Sequence, residues 1–138
     1  MSFRLPPSAL DWRERVRRFV DTEILPYEVE AELNGGEIPP EVAARHERMA
    51  IEIGLPRMDA PPGHGGLGLP VLDQVAATEP IGRATNALGW CYAEAQGWMF
   101  EACSADQVAC YILPLMRGER HLAYAITEEG AGSAVDDI

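Results

Sequence analysis

The residues best suited to hold a ligand are Thr127-Glu128-Glu129-Gly130-Ala131-Gly132-Ser133. Thr127 and Ser133 bring hydroxyls that can donate or accept hydrogen bonds. Gly130 and Gly132 let the backbone take positive φ and come close to a ligand. A turn of small residues with inward backbone N–H groups suits a phosphate or a flat polar ring. The stretch that must position this loop precedes it. From His121 the chain alternates, with Leu122, Tyr124 and Ile126 on one side and smaller or polar residues on the other. That is the period of a half-buried strand.

Other chemistry-bearing residues are sparse. Cys91, Cys103 and Cys110 are odd in number and form no C-x-x-C, so they read as reduced thiols. Together with His46, His64 and His121 they offer no pair at ligand spacing, and no metal site is expected. Gly63, Gly65 and Gly68 match G-x-G-x-x-G formally, but Pro61-Pro62 stands where an aliphatic strand should lead in, so a dinucleotide fingerprint is rejected. All eleven basic residues are arginine, which excludes a lysine-dependent P-loop.

Composition narrows the class further. At 138 residues, 47% of them hydrophobic, the chain reads as one domain with a real core. A formal charge of −11 argues against nucleic acid and anionic membranes as partners. No run is long enough to span a membrane and no apolar signal core opens the chain, so a cytoplasmic location is expected.

The positioning elements read as helices. Ser8-x-x-Asp11 predicts an N-cap, followed by an apolar stripe of Trp12, Val16, Phe19, Val20 and Ile24 that Pro26 stops. Glu14–Arg18 and Arg17–Asp21 are at pairing distance on the solvated face. A polar link from Leu33 to Ile38 leads to Pro39-Pro40, which starts a second helix closed by Gly54. Its apolar face includes Val42, His46, Met49, Ala50 and Ile53. This places His46 on the buried side, as a proton carrier or, more simply, as a hydrogen-bonded core histidine. A third helix covers about Val71 to Ala84 with Leu72, Val75, Ala76 and Glu79 on one face, kinked at Pro80. Asn86 to Ala102 has no clean stripe and reads as one helix buried on most sides. Ser104-x-x-Gln107 is a capping box for a last helix carrying Val108, Tyr111, Ile112 and Leu115.

Three of these stretches, in order, resemble the acyl-CoA dehydrogenase family. Pro61 to Gly68 is similar to the glycine-rich loop between two N-terminal helices. Tyr111-Ile112-Leu113-Pro114 through Gly118-Glu119 is similar to the segment that leads into the flavin-binding strand. Tyr124-Ala125-Ile126-Thr127-Glu128-Glu129-Gly130-Ala131-Gly132-Ser133-Ala134 resembles the flavin-binding loop, with Glu129 in place of the usual proline and Ala134 in place of the usual aspartate.

The resemblance implies an all-α fold: an orthogonal or up-down bundle of about five helices over residues 1–117. A short β segment follows, with residues 118–138 opening the flavin-binding domain. It implies FAD as cofactor, with Tyr124, Ile126 and Thr127 at the flavin ring and Gly132 and Ser133 at the pyrophosphate and thioester side. It implies an acyl-CoA substrate whose acyl chain meets Trp90, Tyr92 and Ala95. Electron-transfer flavoprotein would accept the electrons, and the working protein would be an oligomer. The family's catalytic glutamate belongs to a C-terminal bundle. No acid here matches that motif, Glu79 and Glu128 included, so no catalytic residue is assigned and the chain alone is expected to lack catalysis. The competing expectation is a stand-alone helical interaction module derived from the family without its chemistry.

Overall fold

A computed structural model describes residues 4–84 and 86–137, and the side chains of all of these except Asn86, Ala87 and Asp137. Among the described residues the regular structure is entirely helical. Helix α1 runs Pro7–Phe19 with Pro6 at its N-cap. Ser8 is therefore inside the helix, not its cap, because Pro7 is already compatible with the first turn. The Ser8 hydroxyl instead donates to Asp73 Oδ1 at 3.1 Å. The expected stripe holds, with Val16, Phe19, Val20 and Ile24 buried.

Pro26 does not stop the chain's helical course. The α-geometry loosens into a π-helical turn, Val20–Ile24, then tightens into a 3₁₀ turn, Leu25–Tyr27, and resumes as α2, Glu28–Leu33. Proline is tolerated at the opening of a new turn, where its missing N–H has no partner to lose. Helix α3, Pro40–Ile53, begins after Pro39 and ends at Gly54, whose φ of 102° supplies the left-handed cap.

Helix α4 covers Val71–Ile81 with Pro80 in its last turn and packs chiefly against α1. Its buried face is Asp73, Ala76, Ala77 and Pro80, whereas Leu72, Val75 and Glu79 are exposed. Small residues decide this: two alanines let α1 and α4 approach closely, and the Ser8 bond satisfies the buried Asp73 carboxylate.

The stretch expected as one buried helix is two short ones, α5 (Asn86–Gly89) and α6 (Gly97–Ala102), separated by non-helical residues. Ser104 then caps a continuous track of α7 (Ala105–Gln107), a π-helical turn (Val108–Ile112) and α8 (Leu113–Met116). The capping box forms as read, with Ser104 N–H donating to Gln107 Oε1 at 2.8 Å and Gln107 N–H to Ser104 Oγ at 3.3 Å.

Two apolar cores result. The larger joins Val16, Phe19, Val20, Ile24, Leu55 and Met58, and the smaller joins Ala95, Met99, Val108, Ile112 and Leu115. The short β segment does not form: no strand occurs among the described residues, and residues 121–128 run without regular structure. A lone extended segment has no neighbour here to pair its backbone groups. Leu122 and Tyr124 are accordingly exposed, not half-buried.

Candidate functional site

The region that positions the candidate site is the junction of α3, the α5–α6 connection and the extended segment after α8. Gly118, at φ 72°, turns the chain against α3. That left-handed φ favours glycine, and a Cβ there would also push on the flexible ends of Ile51 and Glu47. The chain thus brings His121 and Leu122 beside Trp90 and Tyr92. Together with Ala43 and Glu47 these residues line a cleft of about 350 Å³.

Of the expected pocket residues, Trp90 and Tyr92 share this cleft. Trp90 is 81% exposed, an indole standing clear of the core. Tyr92 is half-buried, and that burial raises the pKa of its phenol. Ala95 is fully buried in the smaller core, its N–H donating to the Pro56 carbonyl at 2.8 Å. It holds the α5–α6 connection to the turn after α3. Cys91, on the same connection, has its thiol pushed up to about 11 by burial, which keeps it protonated and unreactive.

A second cleft, of about 440 Å³, meets the first along Ala43, Trp90 and Cys91, which line both. Glu37, Leu88 and His46 complete much of its wall. His46 is 1% exposed, and its Nε2 is enclosed without a hydrogen-bond partner. The backbone of Glu23 provides its other hydrogen-bonding contact, and the rings of Phe19 and Tyr27 meet it edge-on. Burial lowers its pKa, so it sits neutral. Its neighbour Arg45 turns outward to Glu23 Oε2 and the Tyr27 hydroxyl, each at 3.1 Å.

The loop read as a ligand holder is presented outward. Tyr124, Thr127, Gly132 and Ser133 are exposed and Ile126 is half-buried. Gly132 has φ 54°, and no atom lies within 4 Å of where its Cβ would be. Residues 128–134 form tight turns, with Ala131 N–H donating to Glu128 O and Ala134 N–H to Ala131 O. Gly132 thus stands open in the left-handed region, followed by the exposed Ser133.

Sequence reading missed Asp59. It accepts from the Gly97 backbone at 2.6 Å and from Gln74 Nε2 at 3.0 Å, fixing the glycine loop to α4 and α6. Nothing local to Asp59 signals partners so far along the chain. His64 is exposed and packs against Phe100, ring centroids 5.0 Å apart. Among the described residues no group of three or more His, Cys, Asp or Glu could hold a metal ion. No helix among them is long and apolar enough to cross a membrane.

The described residues thus form a run of helices followed by an exposed irregular segment and a small-residue loop. The sequence family described as "Acyl-CoA dehydrogenase, N-terminal domain" matches residues 6–119, and the chain belongs to it. Among curated proteins it is 33% identical over 125 residues to a 3-(aryl)acrylate reductase of Clostridium sporogenes, covering 88% of this chain and 32% of that one. It is 30% identical over 136 residues to the mitochondrial short-chain specific acyl-CoA dehydrogenase of Mus musculus, covering 96% of this chain and 32% of that one. An acyl-CoA dehydrogenase of Alternaria alternata is 29% identical over 154 residues, covering 99% of this chain and 35% of that one. The chain thus spans about a third of the length of these relatives. No solved structure matches at comparable significance.

Proposed function

We propose that this chain is the helical N-terminal part of an FAD-dependent acyl-CoA dehydrogenase, which oxidises an acyl-CoA thioester between Cα and Cβ. Residues 1–117 would be the helical domain and 118–138 the opening of the flavin-binding domain. The observation that carries this reading is the ungapped run Tyr124 to Ser133, held out on an exposed segment directly after the family's helical domain. FAD, when bound, supplies the hydride acceptor. Tyr124, the Ile126 backbone and the Thr127 hydroxyl would meet the flavin ring. Gly132 and Ser133 would face the pyrophosphate and thioester. Trp90 and Tyr92 would flank the acyl group while Ala95 holds their connection in place. The base that removes the α-proton is assigned to no residue of this chain, whose residues would bind and orient within the longer enzyme without themselves catalysing. Electron-transfer flavoprotein would take the electrons, and the protein would act as a cytoplasmic oligomer.

The test joins residues 1–138 to the remaining two thirds of the mouse relative and measures FAD content and thioester-dependent dye reduction. A flavin-loaded hybrid whose Thr127→Val variant loses flavin supports the reading. A folded hybrid whose flavin content ignores Thr127 overturns it. By itself the chain should give no saturable change in flavin fluorescence. Saturable micromolar binding would favour a separately working subunit.

A further inference from the structure

Helix α2 turns an apolar pair to solvent. Ala31 is fully buried and Tyr27 packs on the larger core, which fixes how the helix lies. Gly36 N–H donates to the Ala31 carbonyl at 2.7 Å and closes its end. With that face inward, Val29 and Leu33 project outward, 73% and 82% exposed. Four positions apart on a helix, they are neighbours. With Glu28 and Glu32 they line an open groove of about 350 Å³. A single exposed aliphatic is ordinary, but two adjoining ones on a helix make the kind of stripe that a partner helix covers.

Charge decides what covers it. From Phe19 to Ala44 the chain has seven acids and no basic residue, which puts −7 of the net −11 into 26 of its 138 positions. Arg17 and Arg83 pair with Asp21, and Arg45 pairs with Glu23. Among the described residues no ion pair reaches Glu30, Glu32 or Glu37, and all three are exposed. An apolar stripe with this rim repels anionic lipid and nucleic acid and attracts a cationic partner. A second copy of the chain is poorly suited to the part. Its most basic element is α1, where Arg15, Arg17 and Arg18 are already paired with Asp11, Glu14 and Asp21. The apolar stripe of α1 is buried.

We infer that α2 is a docking surface for a basic amphipathic helix of another protein. That helix sets two aliphatic side chains, four positions apart, against Val29 and Leu33. Its arginines or lysines run alongside and face Glu30, Glu32 and Glu37. So small a contact is of the transient kind, with charge setting how fast it forms. It uses none of the residues assigned to the flavin or the acyl group, so it stands or falls independently of that reading.

The probe is a synthetic helical peptide of leucine, alanine and arginine, with leucines four positions apart and arginines flanking them. A control peptide has glutamate at every arginine position. Each is titrated into the ¹⁵N-labelled 138-residue chain, and the backbone amides are followed. The expected result is a set of saturable shifts centred on Val29 to Leu33 with the arginine peptide and none with the glutamate peptide. Leu33→Ser should weaken binding roughly ten-fold or more, the loss expected for one buried leucine. At 82% exposure that side chain is not needed for folding, which circular dichroism of the variant checks. Glu30→Gln combined with Glu32→Gln should weaken binding a few-fold and flatten its dependence on salt. No saturable shift at α2 with the arginine peptide overturns the inference. So do shifts spread over the chain's other acids or indifferent to Leu33→Ser, which would mean attraction to net charge alone. Equal binding of the two peptides overturns it as well, since charge would then select nothing. Concentration-dependent shifts of the α2 amides without peptide, with a matching rise in sedimentation coefficient, would give the surface to a second copy instead.

Discussion

Asp59 Oδ2 accepts the backbone N–H of Gly97 at 2.6 Å, across 38 positions of sequence. The bond caps α6 from a distant loop, since Gln96, at the N-cap, makes no side-chain cap of its own. The other oxygen, Oδ1, takes Gln74 Nε2, which also donates to the Leu69 carbonyl at 2.7 Å. One carboxylate therefore sets the glycine loop, α4 and α6 relative to one another, and with them the connection bearing Trp90 and Tyr92.

Removing that carboxylate should be felt at once in stability. Asp59→Ala is expected to cost about 1–2 kcal/mol, the usual range for a lost cap with a second polar partner stranded. Urea denaturation followed by circular dichroism measures it. Asp59→Asn keeps an acceptor oxygen for Gly97 and should cost less. A midpoint in Asp59→Ala equal to the parent's would show that the capping bond contributes nothing.

The glycine loop makes a sharper prediction from two neighbouring positions. A Cβ on Gly66 would lie 1.9 Å from the Ala60 carbonyl oxygen, a backbone atom that cannot swing aside. Backbone bonds from Leu67 to Arg57 and from Gly68 to Ala60 pin both sides. Gly66→Ala should therefore cost more than about 3 kcal/mol, or prevent folding. A Cβ on Gly63 meets nothing within 4 Å, and Gly63→Ala should stay within about 0.5 kcal/mol. Comparing the two thermal midpoints checks the contrast.

These contacts mark where the sequence was legible. Helix α3 could be read at both ends because Pro39-Pro40 and Gly54 act locally, through fixed φ and positive φ. The box at Ser104 and Gln107 is local too, four residues closing on themselves. The division of α5 from α6 was not legible, because α6 starts where Asp59 caps it from afar. Pro26 misled for another reason: proline ends a regular α-helix, but a π-to-3₁₀ passage lets the chain restart around it. On α4 hydrophobicity pointed to Leu72 and Val75, while close packing selected the alanines. Trp90 and Tyr92, expected from the family resemblance to meet the acyl chain, share a cleft with Ala43 of α3 and with His121, two neighbours distant in sequence that no local pattern could pair with them.

Glu94 should limit stability at neutral pH. Burial raises its pKa first, and the nearby Asp59 charge adds to the rise. A carboxyl whose pKa is higher folded than unfolded contributes stability below its unfolded value, near 4.5. That contribution is lost as pH rises through the folded value. Glu94→Gln is uncharged at every pH, so it should raise the urea midpoint at pH 7 and give little gain at pH 4. An equal gain at both pH values would assign the effect to packing, not charge.

His46 should act in the opposite direction and over a different range. Burial lowers its pKa from the ordinary 6.5, Arg45's charge lowers it further, and the Glu23 backbone and carboxylate oppose both. Above about pH 6.5 the imidazole is neutral folded or unfolded, and pH changes nothing through this residue. Below it the unfolded chain takes up a proton that the folded chain refuses, so stability falls as pH falls, until the folded pKa is reached. The chain should therefore lose stability between pH 7 and 5.5, a range in which most carboxylates remain ionised. His46→Phe has no proton to take up and can still meet Phe19 and Tyr27, so its urea midpoint should change much less over that interval. It should also be less stable than the parent at pH 7 if the Glu23 contact matters more than the orphaned Nε2, and more stable if the orphan dominates. A variant that keeps the parent's full pH slope would place the proton uptake on another group.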